Sequence, residues 1–350
     1  MLGADVTIVA PFKTSQQLSY RINNHFKIQH LLYPFVLPFL FVDRPFPYQF
    51  LVTFHPGYRL LARKYFRGYD IYQFEHASFA DLIDFLPQHS KIIYDAHNVE
   101  FDYAGSECRA RFLKNIVSKR MYRLEKKLAV SAAKIFVCSQ EDKKRFVDLY
   151  RIAEDKIIFV PNGVNGKTQA ISGASPVLRR FPGLKDFAKK AIFCGSNVEH
   201  NRVAVRFILS TLAPQLKEVC AFIIKGSCGQ QFTKHKARNV FLDCNEGGLE
   251  DYAALDVVAI NPITQGSGTS LKALYYLSHA LPVISTDFGM RGYPDLRPFV
   301  TLSELPDFRT AIVLGKPCKS DATDVLKKYH WENIAHNVRN VCLSLQGAKD

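Results

Sequence analysis

The sequence predicts an α/β protein made of two doubly wound, Rossmann-like domains. Three observations carry this. Short β-branched runs alternate with amphipathic stretches along the whole chain, and the apolar runs are near-continuous. An interval near the middle, rich in Gly, Ser and Pro, breaks that rhythm. Apolar strands joined by helices mean parallel sheets covered on both faces. At 350 residues the chain is also long for a single core.

In the first half "DVTIVAP", "YDIYQFE", "KIIYDAHN", "KIFVCS" and "KIIFVPN" read as strands. In the second half "AIFCGS", "AFIIKG", "VFLDC", "VVAINP" and "PVIST" do so. Amphipathic stretches at 110–132 and 202–216 read as connecting helices. The interval "GVNGKTQAISGASPVLRRFPGLKD" gives domains at 1–165 and 187–318 with a linker at 166–186. Residues 319–350 close the chain with a helix that puts Trp331, Ile334, Val338, Val341 and Leu345 on one face, Trp331 anchoring it on a domain surface. In doubly wound sheets ligands collect at the carboxyl ends of the strands, so the expected site is a cleft between the domains.

Composition narrows the partners. A net charge of +14 favours nucleic acid, acidic lipid surfaces or phosphorylated small molecules, and charge alone does not choose among them. No nucleic-acid-binding motif accompanies it, so nucleic acid is not the expected partner. The eight cysteines form no CxxC pair and several sit inside apolar runs, which argues for a reducing, cytoplasmic setting and against zinc or disulfides. The longest apolar run, 31–42, holds two prolines and falls short of the roughly 20 residues of a spanning helix, so burial is expected. The aromatic-basic stretch 54–69 suits either packing on the first sheet or peripheral contact with an anionic membrane.

The chemistry concentrates at strand ends. In "NPITQGSGTSLKALYYL" Gly266 and Gly268 let backbone approach a ligand, while Ser267, Thr269 and Ser270 supply hydroxyls and caps. The helix that follows aims free N–H groups and a positive dipole end at any anion placed there, and Lys272 adds a full charge. A diphosphate fits; an ordinary capped helix start is the plain alternative, and the strand–loop–helix context favours the phosphate. "AIFCGSNVEHN" repeats the form with Gly195 and Ser196, with Asn201 as the expected helix cap. "KIIYDAHNVE" ends a strand in Asp95, His97, Asn98 and Glu100, where His97 is the candidate to polarise or hydrogen-bond a reacting group.

Taken together, these pieces resemble the retaining family-4 glycosyltransferases of the GT-B fold. The match runs in order through "YDIYQFE", "IIYDAHNVE", "VCSQEDKKRF", "KIIFVPNGV", "AIFCGSNVEHNRVAVRFIL", "NPITQGSGTSLKALYYLSHALPVISTDFGMRG" and "HWENIA". The resemblance implies an acceptor-binding first domain facing, across a cleft, a second domain that binds a nucleotide-diphosphate sugar. It also implies a last helix that returns to the first domain. By that likeness Ser267, Gly268, Thr269 and Ser270 meet the donor diphosphate and sugar, joined by Gly195 and Ser196. Cys244, Asn245 and Glu246, in "DCNEGGL", hold the base, and His97 is the catalytic strand-end histidine near the transferred sugar. No metal or other cofactor is implied, because helix dipoles and basic side chains carry the leaving diphosphate's charge.

Two departures stand out. Tyr275 occupies the place of the family's ribose-binding glutamate; a tyrosine cannot clamp two hydroxyls as a carboxylate does, which weakens donor binding by about 1–3 kcal/mol. "MLGADVTIVAPF" matches the second strand of such a domain, so the first sheet is expected to lack its opening strand and glycine-rich turn. The expected activity is sugar transfer, with retention, to a glycan, lipid-linked or protein hydroxyl in cell-envelope glycan or glycoconjugate assembly. The alternative is an impaired relative serving as a binding or partner subunit.

Overall fold

The computed structural model describes residues 4–11, 19–23, 26–31, 66–107, 114–165, 176–245, 248–253, 255–266, 268–314 and 321–347. The chain divides into two compact units, Met1–Val160 with Ala335–Asp350, and Pro161–Ile334.

In the first unit β1 (Val6–Pro11) pairs parallel with β3 (Phe26–Leu31), and β2 (Ser19–Asn23) pairs antiparallel with β3. β2 and β3 were not foreseen from the sequence pattern. β4 (Ile71–Phe74), β5 (Lys91–Ala96), β6 (Lys134–Val137) and β7 (Ile157–Phe159) form a second, wholly parallel sheet in that order. Among the described residues this unit's strands therefore form two separate ladders. The apolar run 31–42 and the stretch 54–69 lie mostly outside the described residues.

Three helices flank the second ladder: α1 (Glu100–Glu107), α2 (Lys114–Ser131) and α3 (Gln140–Tyr150). On α2, Val117, Met121, Leu124 and Leu128 recur at helical spacing and are buried against Ile92, Tyr94 and Val137 of the sheet. α3 starts at Ser139, whose Oγ accepts from the Asp142 amide at 3.0 Å, and ends at Arg151 in the left-handed region (φ 59°).

Glu125 breaks the apolar stripe of α2, a carboxylate with no solvent exposure. It survives there because it accepts four hydrogen bonds: Tyr94 Oη at 3.0 Å, Tyr150 Oη at 2.6 Å, and the amides of Glu100 and Phe101, each at 2.9 Å. The two amides belong to the first turn of α1, so α2 caps α1 through space. Burial pushes the Glu125 carboxyl up to about 7, against the pull of the Tyr150 and amide bonds.

In the second unit β8 (Lys189–Cys194), β9 (Cys220–Lys225), β10 (Val240–Asp243), β11 (Val258–Asn261), β12 (Val283–Ser285) and β13 (Thr301–Leu302) form one parallel sheet in the order β10-β9-β8-β11-β12-β13. The strand order reverses between β8 and β11, so the connections from these neighbours leave toward opposite faces and a crevice opens at their carboxyl ends. The flanking helices include α4 (Glu199–Phe207), which runs on through a π turn at Ile208–Leu212, and α5 (Leu271–Ser278).

The linker expectation fails over 176–186. These residues form short helices, Pro176–Arg180 and Pro182–Asp186, with Val177 and Leu184 fully buried in the unit's core. Their apolar side chains had a core to fill, which outweighed the turn-forming composition. Residues 166–175 lie outside the described residues. The last helix, α6 (Trp331–Gly347), buries Ile334, with Val338, Val341 and Leu345 partly covered along the same face. Trp331 is 47% exposed and its ring lies over Gly163, where a Cβ would come within 2.8 Å of it. Toward the chain's end, Gln346 donates to Asp70 at 3.1 Å. Among the described residues no helix is long and apolar enough to cross a membrane.

Replacing Glu125 with Ala strands four donors in the core, so denaturant unfolding should show a loss on the order of 3 kcal/mol or more. The gap to wild type should narrow as pH rises from 4.5 to about 7, where the folded chain holds a proton that the unfolded chain releases.

Candidate functional site

β8 is followed by Gly195 and Ser196, and the backbone there is crowded. Gly195 N donates to Lys225 O at 3.0 Å, and its own carbonyl accepts from Cys228 N at 3.1 Å. A Cβ on Gly195 would sit 2.7 Å from Asn201 Nδ2, and one on Gly226 (φ 95°) would sit 2.6 Å from Gly195 O. Only glycine at both places lets the ends of β8 and β9 close this tightly. Asn201 is not the cap of α4. Val198 holds that position, and Asn201 is instead buried with its Nδ2 donating to Ser196 O at 2.9 Å, which fixes the turn.

Across the switch point β11 leads into the loop before α5. Gly266 (φ 140°) and Gly268 (φ 64°) both take backbone conformations that favour glycine. Ser270 occupies the N-cap position of α5 without a side-chain capping bond, so its hydroxyl does not satisfy the helix's first amides. Its own amide donates to Arg291 O at 2.9 Å. Thr269 Oγ1 accepts from Asn162 Nδ2 at 2.9 Å, which leaves the hydroxyl proton for another acceptor. Ser267 and Glu246, both assigned from the sequence, lie outside the described residues.

Basic side chains gather at this loop. Lys272 Nζ stands 5.7 Å from the Phe193 ring centre, and among the described residues no carboxylate pairs with it. Burial drives its pKa down to about 8. Arg291 donates through Nε to Gly268 O and lies over the Phe288 ring at 4.1 Å. A Cβ on Gly266 would meet His200 Nδ1 at 3.4 Å and Arg291 Nη2 at 3.6 Å. The His200 pKa is lowered, first by burial and then by the charges of Lys272 and Arg291. Three basic groups beside glycine-bared backbone and a helix start make a receptor for an anion. Sequence reasoning missed Arg291, His200 and Asn162, because each reaches the loop from a separate segment.

Two strands away, Cys244 and Asn245 follow β10. Asn245 O accepts from Lys225 Nζ at 3.1 Å, and Lys225 also pairs with the buried Asp243 at 3.1 Å. Burial raises Asp243, but Tyr252, Lys225 and Arg180 outweigh it and hold its carboxyl below the usual range. This buried cluster sets the path of the backbone at 243–245. The ring of Tyr275 meets His279 edge-on at 4.6 Å, and burial raises its pKa.

His97 belongs to the first unit, at the carboxyl end of β5, where its Nε2 lies 2.9 Å from Glu75 Oε2. A hydrogen bond to the Cys138 side chain, and then the one to Glu75, raise its pKa to about 10. Asp95 is pushed up to about 6 by burial and by the charge of Glu75.

Residues 1–167 match the model of Glycosyltransferase Family 4. Among curated protein sequences none matches the chain. Among solved structures the chain is similar to HepE (Alr3699) of Anabaena in complex with UDP-glucose, at TM-score 0.66 and 12% identity, covering 97% of this chain and 99% of that one. It is similar to a UDP-forming α,α-trehalose-phosphate synthase from Burkholderia xenovorans, at TM-score 0.67 and 12% identity, covering 99% of each chain. It also resembles TarM at TM-score 0.59 and 15% identity, over 83% of this chain but only 59% of TarM's length. These likenesses establish the GT-B fold.

Inorganic pyrophosphate should raise the melting temperature of the protein, and Lys272→Met should remove most of that rise. The rise should shrink as pH passes about 8, because Lys272 then loses the proton that binds the anion. Equal stabilisation of both proteins at every pH would disprove the anion site.

Proposed function

We propose, on the premise that this chain belongs to Glycosyltransferase Family 4, that it moves a sugar from a nucleotide diphosphate to an acceptor hydroxyl with retained configuration. The observation that carries this reading is the meeting of Lys272, Arg291 and His200 at a loop whose glycines take positive φ, at the switch point of the second unit's sheet. HepE is described with UDP-glucose and the synthase as UDP-forming, which makes a uridine diphosphate sugar the first donor to try.

In this reading the diphosphate lies against the turn at Gly195 and Ser196, the loop 266–270 and the start of α5. The base is held by Cys244, Asn245 and Glu246, with Tyr275 at the ribose. As the bond from the sugar's C1 to the diphosphate oxygen breaks, negative charge grows on the leaving oxygen. Lys272 and the amides of α5 then stabilise the transition state more than the ground state. The acceptor oxygen bonds to C1 on the same face, and its proton passes to the departing phosphate. Thr269, already held by Asn162, donates its hydroxyl proton to a phosphate oxygen. His97 is the first unit's catalytic candidate. The acceptor is a glycan, a lipid-linked sugar or a protein hydroxyl in envelope glycan or glycoconjugate assembly, with an anionic membrane surface as the peripheral contact. A second reading, a partner subunit that binds donor without turnover, is favoured by the tyrosine at 275, which offers one hydroxyl where two are to be held.

Titration calorimetry with UDP-sugars should show binding to the wild-type chain and none to the Gly268→Val/Thr269→Ala double variant, with circular dichroism unchanged. Retained affinity in the double variant would refute the donor site. Donor binding without release of UDP, across a panel of acceptors, would select the partner-subunit reading.

A further inference from the structure

At the carboxyl end of the first unit's parallel sheet, two neighbouring strands place a run of polar groups on one side. β4 and β5 pair in register, with Gln73 beside Ile93 and Phe74 beside Tyr94. Side chains alternate along a strand, so Gln73 and Glu75 share a face with Asp95 and His97. Their hydrogen bonds form one chain. Gln73 Nε2 donates to Glu75 Oε1 at 2.8 Å and to Asp95 Oδ2 at 3.0 Å. The other oxygen of Glu75 lies 2.9 Å from His97 Nε2.

From this geometry we infer that Glu75 is a positioning residue for His97: one carboxylate oxygen fixes the imidazole through Nε2, while Gln73 fixes the carboxylate through the other. The inference rests on the glycosyl-transfer reading only for its kinetic arm.

Both oxygens of Glu75 are engaged from different directions, so the carboxylate cannot turn without breaking a bond. The ring inherits that restraint. Gln73 also explains how two acids tolerate adjacency, since its two amide protons serve one carboxylate each. Folding does not account for the arrangement. The side chains of Glu75 and His97 are about half exposed, at 51% and 47%, and an exposed ion pair contributes little to stability. Crowded carboxylates at a strand tip are a stability liability, and perturbed groups of this kind gather at functional sites.

The groups around His97 come from every neighbouring element. The carboxylates are Glu75, which follows β4, and Asp95 on β5, while Cys138, a hydrogen-bond partner, follows β6. His76 stands 5.7 Å away ring to ring and is itself turned toward Glu100, with Nδ1 3.0 Å from Oε1. Two carboxylates against one further histidine, which is directed to its own acid, favour the imidazolium. Burial pushes Glu75 up, but the bonds from His97 and Gln73 outweigh it and leave its carboxyl below the usual value. Both partners therefore stay charged through neutral pH. Glu75 thus holds His97 in one orientation and, together with Cys138 and Asp95, favours its charged form, which suits it to stabilising negative charge.

The test begins on the free protein. Histidine-selective NMR titration should give His97 a midpoint well above the ordinary value, and Glu75→Gln should lower it by about 1–3 pH units. Glu75→Asp should recover part of the shift. In donor turnover, Glu75→Gln should lower kcat roughly 10- to 100-fold with KM for the UDP-sugar unchanged and the melting temperature nearly so. Glu75→Asp should again recover part. An unmoved His97 midpoint in Glu75→Gln overturns the inference. So does a shifted midpoint with wild-type kcat, because the ring would then be held to no purpose. A wild-type chain that turns over no donor defeats the glycosyl-transfer reading, while the NMR arm still decides whether Glu75 positions His97.

Discussion

Asn261 ends β11 with its side chain fully buried, and the architecture of the donor-loop region is built on its amide. Its Nδ2 donates to Gly289 O at 2.8 Å, to Ser285 Oγ at 3.2 Å and to Ser270 Oγ at 3.4 Å. One amide group thus ties the N-cap of α5 to the end of β12 and to the turn beyond it. That turn carries Arg291, whose carbonyl accepts from Ser270 N and whose Nε returns to Gly268 O. Buried bonds thus tie the start of α5 to its neighbours, while the Oδ1 of Asn261 is buried with no partner among the described residues. The backbone of Gly268 and Ser270 is therefore held in place by folding, before any ligand arrives.

The two units handle charge in opposite ways. In the second, basic groups gather with no carboxylate on Lys272 among the described residues, and burial drives that lysine's pKa down to about 8. Such a site gains when an anion arrives. In the first, buried carboxylates are hydrogen-bonded, with one oxygen of Glu100 left without a partner among the described residues. Glu125 is saturated by two phenols and two amides, and Glu100 accepts from His76 and from the Ala77 amide, 3.0 Å each. These bonds hold the carboxyl ends of β4 and β5, where Glu75, Asp95 and His97 stand. The chain's net +14 hides this division, because a sum over residues carries no information about where opposite charges are sorted.

Much of the fold was legible in the sequence. Each of the ten runs read as strands is a strand, since parallel strands covered on both faces leave continuous apolar text. β2, β3 and β13 escaped for the converse reason: they are short or polar, so no continuous apolar run marks them. The glycines of the two phosphate-type turns were equally legible, and Gly195, Gly266 and Gly268 all sit where a side chain would collide or the backbone turns positive. The stretch 176–186 misled, because Pro and Gly report where a chain turns and are silent on whether Val177 and Leu184 between them are buried.

What the sequence determined by itself was local: strand and helix periods, the order βαβ imposes, and the glycine turns that leave backbone amides bare. Those follow from interactions among residues a few positions apart, which a linear pattern records. Only the tertiary structure decided the company each group keeps. Arg291 and His200 reach the loop at Gly266, Asn162 meets Thr269 from 107 residues away, and Glu75 meets His97 across two strands. Which strands become neighbours is settled by the packing of whole sheets and helices, and it is that packing which turns separate side chains into a site.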